Sequence, residues 1–144
     1  TYTVYQPTVT LGMVLSAGSG GFQSYPCSKP GGPGFTAAYV GGSKGAGFSL
    51  SESASGCLDG PDGVGQYGTV RIGSSTATIM GSCAAQKPTC GSATATDVKR
   101  NAYTTVTLPA AKGHGRTFVE LYSNGLGPRA IAQILRGLKP VATH

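Results

Sequence analysis

Apolar and polar residues alternate with a period of two along most of this chain, and such alternation predicts β-strands with one buried face. The alternating runs are short and are separated by Gly, Pro and Ser, which favours a mainly β protein with tight turns. The predicted strands are a segment starting at Thr8, "FTAAYV" (35–40), "GFSLSES" (47–53), "TVRIGSSTATIM" (69–80, two strands), "SATATDV" (92–98), "AYTTVTL" (102–108) and "RTFVELY" (116–122).

Two hairpins follow from the turn residues between these runs. Residues 35–40 and 47–53 are joined by "GGSKGA", and 69–80 turns at Gly73-Ser74. In the strand 47–53, Phe48 and Leu50 point one way and Ser49 and Ser51 the other. In the strand 116–122, one face carries Thr117, Val119 and Leu121, and the other carries Phe118, Glu120 and Tyr122.

Two Gly-rich segments, 16–34 and 56–68, are predicted to be loops. Pro7 interrupts the first apolar run, so the strand there is expected to start at Thr8. Asp59 and Asp62 in the second loop lack the ligand spacing of a calcium loop and are typical turn residues.

Only the stretch "SNGLGPRAIAQILRGLKPV" (123–141) changes to a helical period, with a helix near 127–137. Pro128 suits the first helical turn, and Gly137 and then Pro140 mark its end. The stripe Ile131, Ile134, Leu135 and Leu138 predicts packing on the sheet, with Arg129, Gln133 and Arg136 outside it. The alternative is that this stripe faces outward as a docking or membrane surface.

Length and composition indicate one domain, 1–144, with a mainly β fold of the α+β kind. We expect a curved antiparallel sheet or half-barrel of about eight strands with the C-terminal amphipathic helix packed on it. Charged residues make up only 11% of the chain, against about 25% in typical domains. Such a low charged fraction is common in exported proteins. No apolar run is long enough to span a membrane, and the lack of a Met start and of a signal peptide indicates a processed or trimmed segment.

The four cysteines support the exported interpretation, since disulfides form outside the cytoplasm. Proximity favours the pairs Cys83–Cys90 and Cys27–Cys57, although four cysteines allow three connectivities. Reduced thiols or a metal site are the alternatives; the six residues between Cys83 and Cys90 fit zinc spacing poorly. We expect disulfides, no metal and no cofactor.

Charge is divided unevenly between the two halves of the chain. Residues 1–70 hold two basic and three acidic residues, net −1, and residues 71–144 hold nine basic and two acidic, net +7. A basic half suits an anionic lipid, a cell-wall polymer or an acidic protein, and outside the cytoplasm these are better candidates than nucleic acid. Scattered cations are also common for solubility alone. Lys99, Arg100, His114 and Arg116 are the candidate binding residues.

Three stretches, "GTVRIGSSTATIM", "YTTVTLP" and "GRTFVELYSNGLGPRAIAQILRGLKPV", resemble a class of bacterial extracytoplasmic domains of unknown function. These domains, often actinobacterial, form the outer parts of anti-sigma factors and occur in exported or lipid-anchored proteins. The resemblance lies in one strand motif and in a strand–helix motif. The matching positions are Val70, Ile72, Gly73, Ala77, Tyr122, Ser123, Gly125, Leu126, Ile131, Ile134, Leu138 and Pro140.

This resemblance implies a fold related to the half-barrels of lipoprotein carriers, with no shared catalytic set to transfer. It implies a secreted or extracytoplasmic location, and it includes the possibility that the protein is lipid-anchored before processing.

No enzyme motif is found in the sequence. There is no G-x-S-x-G nucleophile motif, and neither "GGPG" nor "GGSKGAG" has nucleotide-loop spacing. His114 lies between glycines in "KGHGR", which is typical of a turn residue. We therefore expect a non-enzymatic cell-envelope domain that binds a protein partner or an apolar or anionic, lipid-like ligand. The alternatives are an accessory structural subunit of a larger envelope assembly and a hydrolase using His114.

Overall fold

The computed structural model describes residues 3–16, 21–24, 33–54, 63–83 and 89–141. The protein is mainly β, as predicted, and eight strands follow one continuous path in an open sheet that does not close into a barrel. The strands are β1 (Tyr5–Pro7), β2 (Val14–Leu15), β3 (Gly21–Ser24), β4 (Pro33–Val40), β5 (Gly47–Ser53), β6 (Val64–Ile72), β7 (Ser75–Ser82), β8 (Thr89–Ser92), β9 (Ala102–Leu108), β10 (Thr117–Asn124) and β11 (Leu138–Pro140). The α-helices are α1 (Ala95–Arg100) and α2 (Pro128–Arg136).

The strand order is β2-β4-β5-β10-β9-β7-β6-β8, with β3 also paired to β4, while β1 and β11 form a separate two-stranded sheet. Both predicted hairpins are confirmed, β4 with β5 and β6 with β7. The second turns at Gly73, whose φ of 60° is the left-handed conformation that tight hairpins require. The described pairings are antiparallel except that of β6 with β8, so the sheet is mixed rather than purely antiparallel.

The parallel edge strand β8 is held by the predicted disulfide between Cys83 and Cys90, whose Cα atoms are 5.8 Å apart. The bond crosses the end of β6 at Gly65, where a Cβ would stand only 2.6 Å from Cys90 Sγ. A glycine is therefore needed at this crossing. The predicted Cys27–Cys57 pair, like Asp59 and Asp62, lies outside the described residues.

Helix α1 corrects the prediction of a strand over 92–98. Thr94 and Asp97 form a capping box: Thr94 Oγ1 accepts the Asp97 N–H at 3.1 Å and Asp97 Oδ2 accepts the Thr94 N–H at 2.8 Å. These two bonds start a helix in a segment whose Thr and Val content favours strands. Val98 is fully buried against β7, where Gly81 lets the helix backbone approach.

The N-terminal segment also differs from its prediction. Residues 3–13, the N-terminal strap, cross the helix-bearing side of the sheet, and strand pairing occurs at Tyr5–Pro7 and not from Thr8. Pro7 is tolerated because β1 belongs to a two-stranded sheet and needs few donors. Part of the predicted loop 16–34 is strand as well, because β3 pairs with the start of β4.

Helix α2 confirms the predicted helix. Ile131, Ile134 and Leu135 are almost completely buried in the core, whereas Arg129, Gln133 and Arg136 are exposed. Leu138 is buried too, although it belongs to β11 and not to the helix. The apolar stripe thus completes the core, and the alternative of an outward-facing stripe is wrong. Neither described helix is long and apolar enough to cross a membrane.

Candidate functional site

The face of the sheet opposite α2, here called the outer face, carries a row of side chains at directly paired positions. Ala38 of β4 pairs with Ser49 of β5, Ser49 with Tyr122 of β10, and Tyr122 with Tyr103 of β9. Directly paired side chains share a face of the sheet, so these four residues form one row. Small residues occupy one end of the row and two tyrosines the other. The step in side-chain size coincides with a depression in the surface.

This depression is an open pocket of about 320 Å³, here called the outer pocket. Its floor includes the small residues Ala38, Gly47 and Ser49, and Tyr122 and Val40 stand beside it with 40% and 47% of their surface exposed. Gly47 keeps the floor uncrowded, because a Cβ there would lie 3.0 Å from the Tyr39 carbonyl oxygen, a tight contact. None of the described lining residues carries a charge.

Asn124 provides a fixed polar group over the floor. Its Nδ2 donates to the Gly45 carbonyl at 3.1 Å, which holds the amide against the turn between β4 and β5. Its Oδ1 would lie 3.6 Å from a Cβ at Gly47, which places this acceptor beside another residue of the lining. A ligand with a hydroxyl or N–H group can therefore donate to a pre-positioned oxygen.

Glu120 and Tyr103 form a buried polar pair behind the pocket. Only 3% of Glu120 and 6% of Tyr103 is exposed, and the tyrosine hydroxyl donates to Glu120 Oε2 at 2.6 Å. Tyr122 packs at an angle on Tyr103 with ring centroids 4.9 Å apart. Burial, and secondarily the nearby Glu120 carboxyl, raise the pKa of Tyr122, so its hydroxyl stays neutral at physiological pH.

Glu52 of β5 is a second buried carboxyl, on the helix-bearing face. Its Oε1 accepts the Tyr5 N–H at 2.7 Å, and its Oε2 has no hydrogen-bond partner in the described part of the chain. Burial raises its pKa to about 7, against the opposing effect of the Tyr5 hydrogen bond. Its surroundings are the core and the N-terminal strap, so this carboxyl is not part of the outer pocket.

The four candidate binding residues fall into two separate pairs. Lys99 and Arg100 are exposed at the end of α1, before β9 begins. His114 and Arg116 lie in the connection between β9 and β10, beyond the other end of β9. At about 3.3 Å per strand residue, the seven residues of β9 separate the pairs by roughly 20 Å, so the four do not form one site.

Each pair has its own surroundings. Arg100 lies 3.3 Å from Asp97 Oδ1 and also donates to the Ser82 carbonyl, which ties it to α1 and β7. Arg116 lines a shallow pocket of about 260 Å³ with Ser74 and Thr107. A binding role for any of the four residues stays a prediction.

Within the described ranges, no group of three or more His, Cys, Asp or Glu side chains could hold a metal ion.

The outer pocket was not identified from the sequence, although its signals were present. The alternation placed Ser49 on the face of its strand that does not carry Phe48, and it placed Glu120 and Tyr122 on one face of theirs. What the sequence does not contain is the register that brings Ala38, Ser49 and Tyr122 into one row.

Comparison of the chain with protein-family models, with curated proteins and with solved structures found no match. The resemblance to extracytoplasmic bacterial domains therefore stays a prediction from the motifs alone. Functional inference for this chain depends on the geometry of its own residues.

Proposed function

We propose that this protein is an extracytoplasmic binding domain that holds an uncharged, partly apolar ligand in the outer pocket. The observation that carries the proposal is the paired row of small residues ending at the exposed ring of Tyr122. Pockets that bind small molecules combine an apolar surface with a few fixed polar groups, and Asn124 Oδ1 is such a group here.

The chemistry of the described lining favours an uncharged ligand over an anionic one. Tyr122 and Val40 offer apolar surface, while the polar residues of the lining, which include Ser49, Asn101, Ser123 and Asn124, carry no charge. The same lining includes no histidine, cysteine or carboxylate, so the proposal is one of binding and not of hydrolysis. The Cys83–Cys90 disulfide is compatible with a location outside the cytoplasm and supports that part of the proposal.

A pocket-filling substitution tests the site directly. Ser49→Phe places an aromatic ring on the floor, and strands accommodate aromatic residues well, so the fold should persist. We expect the uncharged fluorescent probe N-phenyl-1-naphthylamine to bind the natural protein and to lose that binding in Ser49→Phe. Native mass spectrometry of protein purified from its source should show a retained small molecule.

Thr76→Phe is the matched control, since Thr76 is exposed on β7 and does not line the pocket. It should bind the probe like the natural protein. Equal binding by Ser49→Phe would overturn the proposal. A protein that binds no probe and is recovered only with a larger assembly would instead support the accessory-subunit alternative.

A further inference from the structure

The exposed charged groups of the described residues are almost all cationic. All nine lysines and arginines among them are exposed, at positions 44, 71, 99, 100, 112, 116, 129, 136 and 139. The three described carboxyls do not balance them at the surface: Glu52 and Glu120 are buried, and Asp97 caps α1 and pairs with Arg100. A field of one sign over the surface attracts anionic partners.

Two of these cations lie on one side of α2. Arg129 and Arg136 are seven residues apart, so they lie on the same side of the helix with Gln133 between them. Arg136 also donates to the Arg71 carbonyl at 3.3 Å, which brings it close to a third cationic residue. Helix α2 has no acidic residue in its first turn to offset this charge.

Next to these cations lies a cleft between the N-terminal strap and the end of α2, with a volume of about 450 Å³. This strap–helix cleft is lined by Thr8, Val9, Leu11, Gln133, Arg136, Gly137 and Lys139. Val9 and Leu11 supply apolar surface on the strap side, and Arg136 and Lys139 supply positive charge on the other side.

Leu11 has an unusual backbone conformation for an exposed leucine. Its φ is 50°, in the left-handed region that non-glycine residues rarely adopt, and 42% of its surface is exposed. Gly12 beside it also has a positive φ, of 80°. A strained turn that presents an apolar side chain to solvent is the kind of feature retained for function.

We propose that the strap–helix cleft docks on an anionic lipid bilayer, with Leu11 inserted among the lipids and with Arg136 and Lys139 at the headgroups. Interfacial binding needs both apolar insertion and attraction to anionic lipid, and the lining of this cleft combines Leu11 with Arg136 and Lys139. The apolar stripe of α2 is buried in the core, so the membrane-facing surface is the polar, cationic side of the same helix. The proposal is independent of the outer pocket.

Sedimentation with lipid vesicles tests the proposal. At low salt, the natural protein should bind vesicles of phosphatidylcholine mixed with phosphatidylglycerol and should not bind vesicles of phosphatidylcholine alone. Arg136→Gln and Lys139→Gln should each weaken binding roughly fivefold, the contribution of one basic residue near an anionic surface. Leu11→Asn should weaken it about tenfold by removing the inserted side chain, and Asn tolerates the left-handed conformation.

Lys112→Gln is the matched control, since it removes one exposed positive charge that does not line the cleft and is not one of the candidate binding residues. It should bind vesicles nearly as well as the natural protein. Thermal melts establish that each variant is folded. Failure of the natural protein to bind anionic vesicles at low salt would overturn the proposal. An equal loss in Lys112→Gln and Arg136→Gln, or full binding by Leu11→Asn, would overturn it as well.

Discussion

The two faces of the sheet bury polar groups in different ways, and two glutamates on neighbouring strands show the difference. Glu52 and Glu120 are both almost fully buried, on the helix-bearing face and on the outer face respectively. Glu120 accepts a hydrogen bond from the Tyr103 hydroxyl, whereas Glu52 has one backbone donor and an unpaired oxygen. Thr104 and Ser123 also bury hydroxyls on the helix-bearing face, and neither hydroxyl has a hydrogen-bond partner among the described residues.

All three unpaired side-chain atoms found in the described ranges therefore lie on the face whose apolar burial is largest. A buried polar group without a partner costs free energy, about 1–3 kcal/mol, which a well-packed core can offset. The outer face has less apolar burial and keeps its glutamate paired. On the helix-bearing face, the free energy of unfolding should depend mainly on packing and on pH. On the outer face, it should depend on the hydrogen bond of the buried glutamate.

The largest expected effect is the loss of packing on the helix-bearing face. Ile134→Ala should lower the free energy of unfolding by about 2–5 kcal/mol, because it leaves a cavity under a helix residue with no exposed surface. Chemical denaturation measures this loss. A change below about 1 kcal/mol would mean that the helix contributes little to the core.

The next effect is the pH dependence that Glu52 confers. Its pKa is raised to about 7 in the folded protein from its ordinary value of 4.5, so the folded state holds this proton more tightly than the unfolded state. The contribution of Glu52 to the free energy of unfolding should therefore be greatest at or below pH 4.5 and fall by about 3 kcal/mol as pH rises to 7.

Glu52→Gln checks this assignment, since it keeps an oxygen to accept the Tyr5 N–H and cannot ionise. The difference in unfolding free energy between the natural protein and this variant should change with pH only between about 4.5 and 7. Denaturation series at several pH values measure it. A constant difference would refute the assignment.

A smaller effect is expected on the outer face. Tyr103→Phe removes the hydroxyl that donates to Glu120 Oε2 and should cost about 1–2 kcal/mol, the usual cost of losing a hydrogen bond to a buried carboxyl. Tyr122→Phe is the control, because Tyr122 is partly exposed and should change stability by less than about 0.5 kcal/mol. Similar losses in both variants would mean that ring packing, and not the hydrogen bond, matters on this face.

The smallest effect is expected at the surface of α2. Arg129→Gln and Arg136→Gln should each change the free energy of unfolding by less than about 0.5 kcal/mol, as is usual for exposed sites. Thermal melts of these two variants and of Ile134→Ala, measured together, compare the exposed and the buried side of one helix. A loss approaching that of Ile134→Ala would show that these arginines are structural.

Elements with a strong period were predictable from the sequence. The strands β5 and β9 have the predicted bounds, and α2 lies within the predicted range, because their apolar residues repeat at the period of the element. Helix α1 was missed because its signal is a cap, with Thr94 and Asp97, and not a period. The N-terminal strap was missed because its contacts are with residues far away in the chain.

The outer pocket was only half predictable, since alternation gives the face of a residue but not its neighbours on other strands. Glu52 is the clearest example of a readable signal: it follows Phe48 and Leu50 at a spacing of two, on the apolar side of its strand. That spacing places a carboxyl in the core. Its unpaired oxygen depends on packing that the sequence does not reveal.

The N-terminal strap has a consequence for the order of folding. Its hydrogen bonds join residues 47 apart for Tyr5 and Glu52, 112 apart for Thr3 and Gly115, and 129 apart for Thr8 and Gly137. The entropy of closing such loops must be overcome before these contacts form, so the strap should dock after the β6–β7 hairpin and the central strands. The same segment should be the first to open in native-state hydrogen exchange. Its opening exposes Glu52 to water, so amides in the strap should exchange faster above pH 7 than base catalysis of exchange alone explains.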